Sequence, residues 1–370
     1  MKNIKVTVVL STYNQAPYIA QAIESILMQK TNFVYEILAS DDASSDGTRE
    51  IILDYEKKYP SLISHYFTTE NIGDCRKFTN CLDAGLLHGE YLAHLEGDDY
   101  WLREDRLQIL ADFLDSHPTY SRVSHRTLIV DEEGNEKGYD MPLDKCDRTF
   151  TIESFLAGEQ YSSVDSMYRN YYREAGKKYH GILLSSKNLS DFQEMFITQD
   201  FGPVYVLSDC LSAYRSRSIQ GESNYNSLMN AERRSIDKIT VVKAVESFYQ
   251  GKYDLTPRIF REQKKLITNA VRLQDQTVLQ RARNYVSADA MKKILPELLY
   301  RVIREKKKGE RDFLLKNITA QEKQSMYAGF VSYCLRYWLQ RVRKKDAEEK
   351  IRGYVVQPHL IRRLGVHYEE

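Results

Sequence analysis

Four times in the first hundred residues a short apolar or β-branched run gives way to polar turn residues and then to apolar residues at helical spacing. KVTVVLSTY (5–13) precedes Ile19, Ala22, Ile23, Ile26 and Leu27, set behind Pro17, a residue suited to a first helical turn. EILAS (36–40) leads through DDASSDGT (41–48) to Ile51, Ile52 and Tyr55. ISHYF (63–67) leads to a helix around Phe78–Leu87, and YLAHL (91–95) ends in EGDDYW (96–101) ahead of a helix from about Arg103 to Asp115. Strands separated by helices cannot close as tight hairpins. They pair through crossovers, which predicts an α/β fold with a mainly parallel sheet covered on both faces.

The rhythm changes afterwards. SRVSHRTLIVDEEGNEKG (121–138) reads as a hairpin turning at Gly134 and Asn135, and VYVLSD (204–209) and LSAYR (211–215) read as two further strands. Beyond Asn226 the pattern is helical, with Pro257, Pro296 and Pro358 as expected boundaries. Charge shifts at the same place. Residues 226–370 hold 31 Lys and Arg against 17 Asp and Glu, leaving 22 against 35 for residues 1–225, although the net charge is only +1. Two domains are therefore expected, 1–225 and 226–370. The basic runs REKKKGER (304–311) and RVRKKDAEEK (341–350) suit an anionic membrane surface, nucleic acid or an acidic partner, and equally suit solvated helix faces.

Several classes are excluded. No run approaches eighteen consecutive apolar residues, and a strand pattern occupies the place of a signal peptide, so a cytoplasmic chain is expected. Five cysteines (Cys75, Cys81, Cys146, Cys210, Cys334) at irregular spacing fit free thiols rather than a disulfide framework or a paired zinc knuckle. His65, His88, His94 and His125 lack metal-ligand spacing. No GxGxxG, GxxxxGK(S/T) or GxSxG occurs at the strand-to-helix turns, which argues against nicotinamide, P-loop and serine-hydrolase chemistry.

Ligands of open α/β sheets sit beyond the carboxyl ends of the strands. Three clusters fall there: Thr12-Tyr13-Asn14, Asp41-Asp42 and Asp98-Asp99. Carboxylates gathered on one rim repel, and a divalent cation, Mg²⁺ or Mn²⁺, resolves the conflict while keeping positions open for phosphate oxygens. Tyr100 and Trp101 would wall the cleft. The competing reading is that Asp98 and Asp99 cap the helix that follows them.

STYN (11–14), SDDASSDGT (40–48), ENIG (70–73) and GEYLAHLEGDDYW (89–101), in this order, resemble the family 2 glycosyltransferases of the GT-A fold over residues 4–220. That resemblance implies inverting transfer from a nucleoside-diphosphate sugar, with UDP as the usual nucleotide. It implies a nucleotide pocket of Thr12, Tyr13 and Asn14, base recognition by Asp42, and contacts to ribose and metal by Asp98 and Asp99. Glu96 stands where the family usually has the first Asp of its DxD. An Asp ahead of a helix and a YR segment is the family's catalytic base, which matches Asp191 in SDFQEMF (190–196). Asp191 with Glu194 also reads as a helix capping box. Relatives often carry a metal-binding His two residues after YR; here that position is Arg217, a guanidinium suited to the diphosphate. Arg76 and Lys77 are candidates for base or phosphate contact, or a solvated helix end.

The expected acceptor is a hydroxyl of a glycan or lipid-linked molecule in surface-polysaccharide or cell-wall synthesis. For residues 301–350, where Leu335, Trp338, Leu339 and Val342 share helical spacing, the expectations in order are core, a homo-oligomer seam and a peripheral membrane contact. Rival readings are a nucleotide-sugar or polysaccharide binding module without catalysis, a metal-dependent nucleotidyltransferase and, more weakly, a nucleic-acid binder. The nucleotidyltransferase would usually show a Gly-rich, basic loop after its first strand, which STYNQAPY lacks.

Overall fold

A computed structural model describes residues 3–141, 146–157, 165–187, 190–216 and 231–343, without the side chains of residues 138–141, 190–191 and 335–343. Two compact units are present, Met1–Lys265 and Leu266–Glu370.

The first unit opens with the expected alternation: β1 (Ile4–Thr12), α1 (Ile19–Leu27), β2 (Val34–Asp41), α2 (Thr48–Lys58), β3 (Ile63–Phe67), α3 (Asp74–Asp83), β4 (Tyr91–Glu96). After it come β5 (Tyr100–Trp101), α4 (Arg106–Ser116), β6 (Arg122–Val130), β7 (Glu136–Met141), β8 (Arg148–Phe150), α5 (Ile152–Ala157), β9 (Met167–Arg169), α6 (Tyr172–Ala175), α7 (His180–Leu183), α8 (Ser190–Thr198), β10 (Val204–Arg215) and α9 (Ala231–Tyr249). One sheet runs in the order β3-β2-β1-β4-β9-β6-β10-β5, with β7 on β6 and β8 on β10. Strands β3, β2, β1 and β4 are parallel, as their helical crossovers require, and β9 enters antiparallel between β4 and β6.

Side chains alternate along β1, so that Val6, Val8 and Leu10 join one buried cluster with α1 and α4, and Val9 joins the other with α3, α8 and α9. The sheet is thus buried on both faces. The β6–β7 hairpin forms with its turn at 131–135, Asp131 N–H donating to the Asn135 carbonyl at 2.9 Å. The two strands expected at 204–209 and 211–215 are instead one strand, β10, with register shifts around Cys210. Such a bulge lets one strand bend without ending, and the polar SDC at its centre resembles a turn in sequence.

Five more helices follow: α10 (Thr256–Leu273), α11 (Gln276–Arg283), α12 (Ala288–Arg304), α13 (Lys308–Asn317) and α14 (Ala320–Arg343). Pro257 lies in the first turn of α10, as proline prefers. Pro296 does not end a helix, contrary to expectation; it sits inside α12 and is buried with Ile294, Leu295, Leu298, Leu299 and Val302, an apolar stripe whose burial outweighs one lost backbone bond. Pro358 lies outside the described residues, as do the side chains of Leu335, Trp338, Leu339 and Val342. The charge shift at 225/226 precedes the packing division at 265/266, because α9 places Val241, Val242 and Val245 in a core of the first unit.

Candidate active site at the carboxyl edge of the sheet

β1, β2 and β4 end together in register, Thr12 beside Asp41 and Ser11 beside Glu96. The three polar clusters therefore share one edge. Within them the two aspartates after β2 divide the work. Asp41 is fully buried and accepts from Thr12 Oγ1 at 2.9 Å, Ser44 N at 2.9 Å and Arg49 Nε, so it braces the β1 and β2 loops. Asp42 accepts from the amides of Ile72 and Gly73, both at 2.8 Å, and from Thr68 Oγ1 at 3.2 Å, which fixes the ENIG loop against the edge. Thr12 thus spends its hydroxyl on Asp41. Asn14, at φ +48°, receives Ser45 N on its Oδ1 at 3.0 Å and donates its own amide to Ser44 Oγ at 2.8 Å. Tyr13 is half-buried beside them.

Lys77 is buried, and its ammonium donates to Ser11 Oγ at 2.7 Å and to the Ser40 carbonyl at 3.2 Å. It acts as a strut between the ends of β1 and β2. Arg76, the next residue back on α3, is exposed and makes no ion pair among the described residues. Gly73 has φ +87°, and a Cβ there would meet Lys187 Cγ at 2.2 Å and its carbonyl at 2.6 Å. The segment leading into α8 thus lies against the loop that Asp42 holds.

In EGDD, carboxylate oxygens of Glu96, Asp98 and Asp99 all lie within 4.8 Å of one another. Gln15 Nε2 donates to Asp98 Oδ1 at 2.8 Å, and the Arg215 amide donates to Asp99 Oδ1 at 2.8 Å. Neither aspartate caps α4, whose N-cap position is Asp105. Asp99 Oδ2 is buried and has no partner among the described residues. Burial, then the charges of Asp98, Asp165 and Glu96, push the Asp99 carboxyl well above the usual carboxylate range. A buried oxygen without a donor, inside a trio of carboxylates, suits a hard divalent cation such as Mg²⁺ or Mn²⁺.

Arg215 is the residue that sequence reasoning missed. Its Nε donates to the Asp98 carbonyl at 2.9 Å, its Nη1 to the Glu132 carbonyl at 2.6 Å and its Nη2 to Gln21 Oε1 at 2.8 Å, while the guanidinium lies 4.6 Å from the Tyr18 ring. The YR segment locks the acidic loop in place. Only its motif, not its chemistry, was visible in sequence.

Asp191 lies in the first turn of α8; its side chain is outside the described set, and Arg217 lies wholly outside it. Glu194 is buried and accepts from Arg122 Nη2 at 2.7 Å and Tyr168 OH at 2.8 Å, so both its oxygens point into the sheet. Gln193 beside it reaches Cys75 of α3.

Residues 7–218 match the family described as Glycosyl transferase family 2. The chain belongs to this family. Among its curated relatives, the Mycobacterium tuberculosis protein Rv1520, itself uncharacterized, is 34% identical over 163 residues, covering 44% of this chain and 46% of that protein. The chain thus spans about half the length of the first relatives it matches. The abequosyltransferase RfbV of Salmonella typhimurium is 26% identical over 260 residues, covering 66% of this chain and 76% of the relative. Among solved structures, S. aureus TarS 1–349 in complex with UDP-GlcNAc superposes with a TM-score of 0.56 at 18% identity, covering 84% of this chain and 89% of that one. The match places this glycosyl transferase family 2 chain in the GT-A fold. Among the described residues no helix is long and apolar enough to cross a membrane.

Proposed function

We propose that the chain transfers a sugar, with inversion, from a nucleoside-diphosphate sugar to a hydroxyl of a glycan or lipid-linked acceptor in surface-polysaccharide or cell-wall synthesis. The observation that carries this reading is the buried Asp99 Oδ2, without a partner among the described residues, within the Glu96–Asp98–Asp99 trio at the sheet's carboxyl edge. UDP is the proposed nucleotide, in keeping with the UDP-GlcNAc complex of TarS.

In this scheme the loop of Thr12, Tyr13 and Asn14 and the loop held by Asp42 line the nucleotide pocket, with Arg76 at its rim. Asp98 faces the ribose, and Asp99, with Glu96 beside it, holds the divalent cation. When bound, that cation neutralises charge on the departing diphosphate. Asp191 takes the proton of the acceptor hydroxyl as its oxygen bonds to the anomeric carbon; the bond from that carbon to the phosphate oxygen breaks, and its electron pair leaves with the nucleoside diphosphate. Arg217 is the proposed second cation at the diphosphate. No covalent enzyme intermediate is needed.

Asp191→Asn is expected to lower turnover by about 10²- to 10⁴-fold with donor binding retained. Full turnover by this variant would remove Asp191 from the role. Donor binding with neither transfer nor hydrolysis in the wild type would favour a binding module instead. The exposed run Arg304–Gly309 is the proposed peripheral contact with anionic lipid, checked by co-sedimentation with vesicles containing phosphatidylglycerol against neutral ones.

A further inference from the structure

Beneath the acidic trio lies a buried pair that the scheme above does not use. Asp165 precedes β9, whose register sets Met167 opposite both Ala93 of β4 and Val123 of β6. Two residues earlier, Asp165 therefore sits by the end of β4, where EGDD leaves the sheet. Its Oδ2 accepts from Ser212 Oγ at 2.7 Å, and its Oδ1 is buried without a partner among the described residues. Arg106, the first residue of α4, is fully buried. Its Nη2 donates to the Asp165 carbonyl, its Nε donates to His125 Nε2 at 3.2 Å, and its guanidinium stacks 4.1 Å from the Trp101 ring. His125 Nδ1 lies 2.9 Å from the Arg126 carbonyl, and its Nε2 lies 3.0 Å from the Asp165 carbonyl. Burial, then the Arg106 charge, hold that imidazole down at about 3, so it is neutral and adds no charge.

A buried guanidinium bonded to the residue beside the end of β4 adds positive charge behind the cation site. A monovalent cation repels a divalent one with an energy that a low-dielectric setting amplifies. Arg106 holds Asp165 by its backbone carbonyl while Ser212 holds the carboxylate; the Arg106 charge acts on that carboxylate through space, and the carboxylate's own charge is felt at Asp98 and Asp99.

We propose that Asp165 is a positioning residue of the divalent-cation site, offsetting the Arg106 charge beneath Glu96, Asp98 and Asp99 and thereby setting the affinity for the ion. This rests on the cation reading given above. It requires no direct bond to the ion, since groups one layer behind the ligands tune affinity by charge and orientation.

The test is titration of Mn²⁺ followed by electron paramagnetic resonance of the free ion, with and without UDP, on the full chain. Asp165→Asn is expected to raise the Mn²⁺ dissociation constant about 10- to 100-fold, with an unchanged far-ultraviolet circular dichroism spectrum. The double variant Arg106→Gln/Asp165→Asn, which removes both charges, is expected to recover most of that loss. A merely structural Asp165 would lower the melting temperature of Asp165→Asn and leave its Mn²⁺ affinity at the wild-type value; that result would overturn the inference. If Asp165→Asn does not fold, Ser212→Ala, which releases the carboxylate from its hydroxyl, is expected to weaken Mn²⁺ about threefold, and unchanged binding would count against the proposal. A wild type that binds no Mn²⁺ with UDP present would overturn the cation reading itself, and this inference with it.

Discussion

At the scale of single residues, the candidate site is an arrangement of carboxylates buried at a cost. Asp165 shows the sign of that cost. Burial pushes its carboxyl from the ordinary 3.8 up to about 6, while Arg106 and Ser212 oppose the rise. Its folded form therefore holds the proton more tightly than the unfolded chain does. The stability it contributes is fully present below about pH 4 and is lost as pH rises through about 6. Asp99, raised for the same reason, adds to the trend. Melting temperature in the presence of a chelator should accordingly fall between pH 4 and pH 6 from this pair. Asp165→Asn should flatten the slope, and an unchanged slope would contradict the assignment. Residue types at this edge were legible in sequence: the acids at 41–42 and 96–99 fell where an α/β sheet places its ligands. Their individual duties were not. Whether Lys77 meets a phosphate or a strand hydroxyl and carbonyl depends on three-dimensional neighbours 66 and 37 residues away, and Arg215 reads as an ordinary strand end until its five contacts converge.

Elements carry the site through two close approaches. Gly97 lets EGDD pass beneath the β1 loop: a Cβ there would meet Gln15 Oε1 at 2.6 Å and Thr12 Cγ2 at 2.8 Å. Gly97→Ala is expected to cost about 1–3 kcal/mol in urea denaturation and to loosen the Gln15–Asp98 bond. Helix α8 is held by Glu194, whose carboxylate meets Arg122 and Tyr168, while His94 Nε2 lies 2.6 Å from the same tyrosine oxygen. Glu194→Ala would take from the buried Arg122 the carboxylate that its Nη2 meets, a loss of about 3–5 kcal/mol, measurable by the same denaturation. A loss under 1 kcal/mol would show that the pair does not anchor the helix. The strand-and-helix alternation of residues 4–96 was readable because each crossover repeats the same period change. The later strands were harder, because β10 bulges and β9 is only three residues long. The part Glu194 plays was not legible either, because spacing alone does not reveal that a buried arginine of β6 meets it.

Across the whole molecule, the acidic and basic halves identified by charge do not coincide with the packed units. The α9 helix belongs by composition to the basic half and by burial to the core beneath the sheet. Composition tracks the surface that solvent and partners see, whereas packing follows apolar residues such as Val241, Val242 and Val245. The central claim is that the carboxylate rim admits a nucleoside-diphosphate sugar only with a divalent cation. The most direct measurement is thermal denaturation of the wild type and Asp99→Asn with UDP-GlcNAc, in Mn²⁺ and in a chelator. At 100 times its dissociation constant a ligand adds about 2.7 kcal/mol, so the account predicts a clear rise in melting temperature for the wild type with sugar nucleotide and Mn²⁺ together. It predicts none in the chelator and none for Asp99→Asn. An equal rise in the chelator, or in Asp99→Asn, would contradict it.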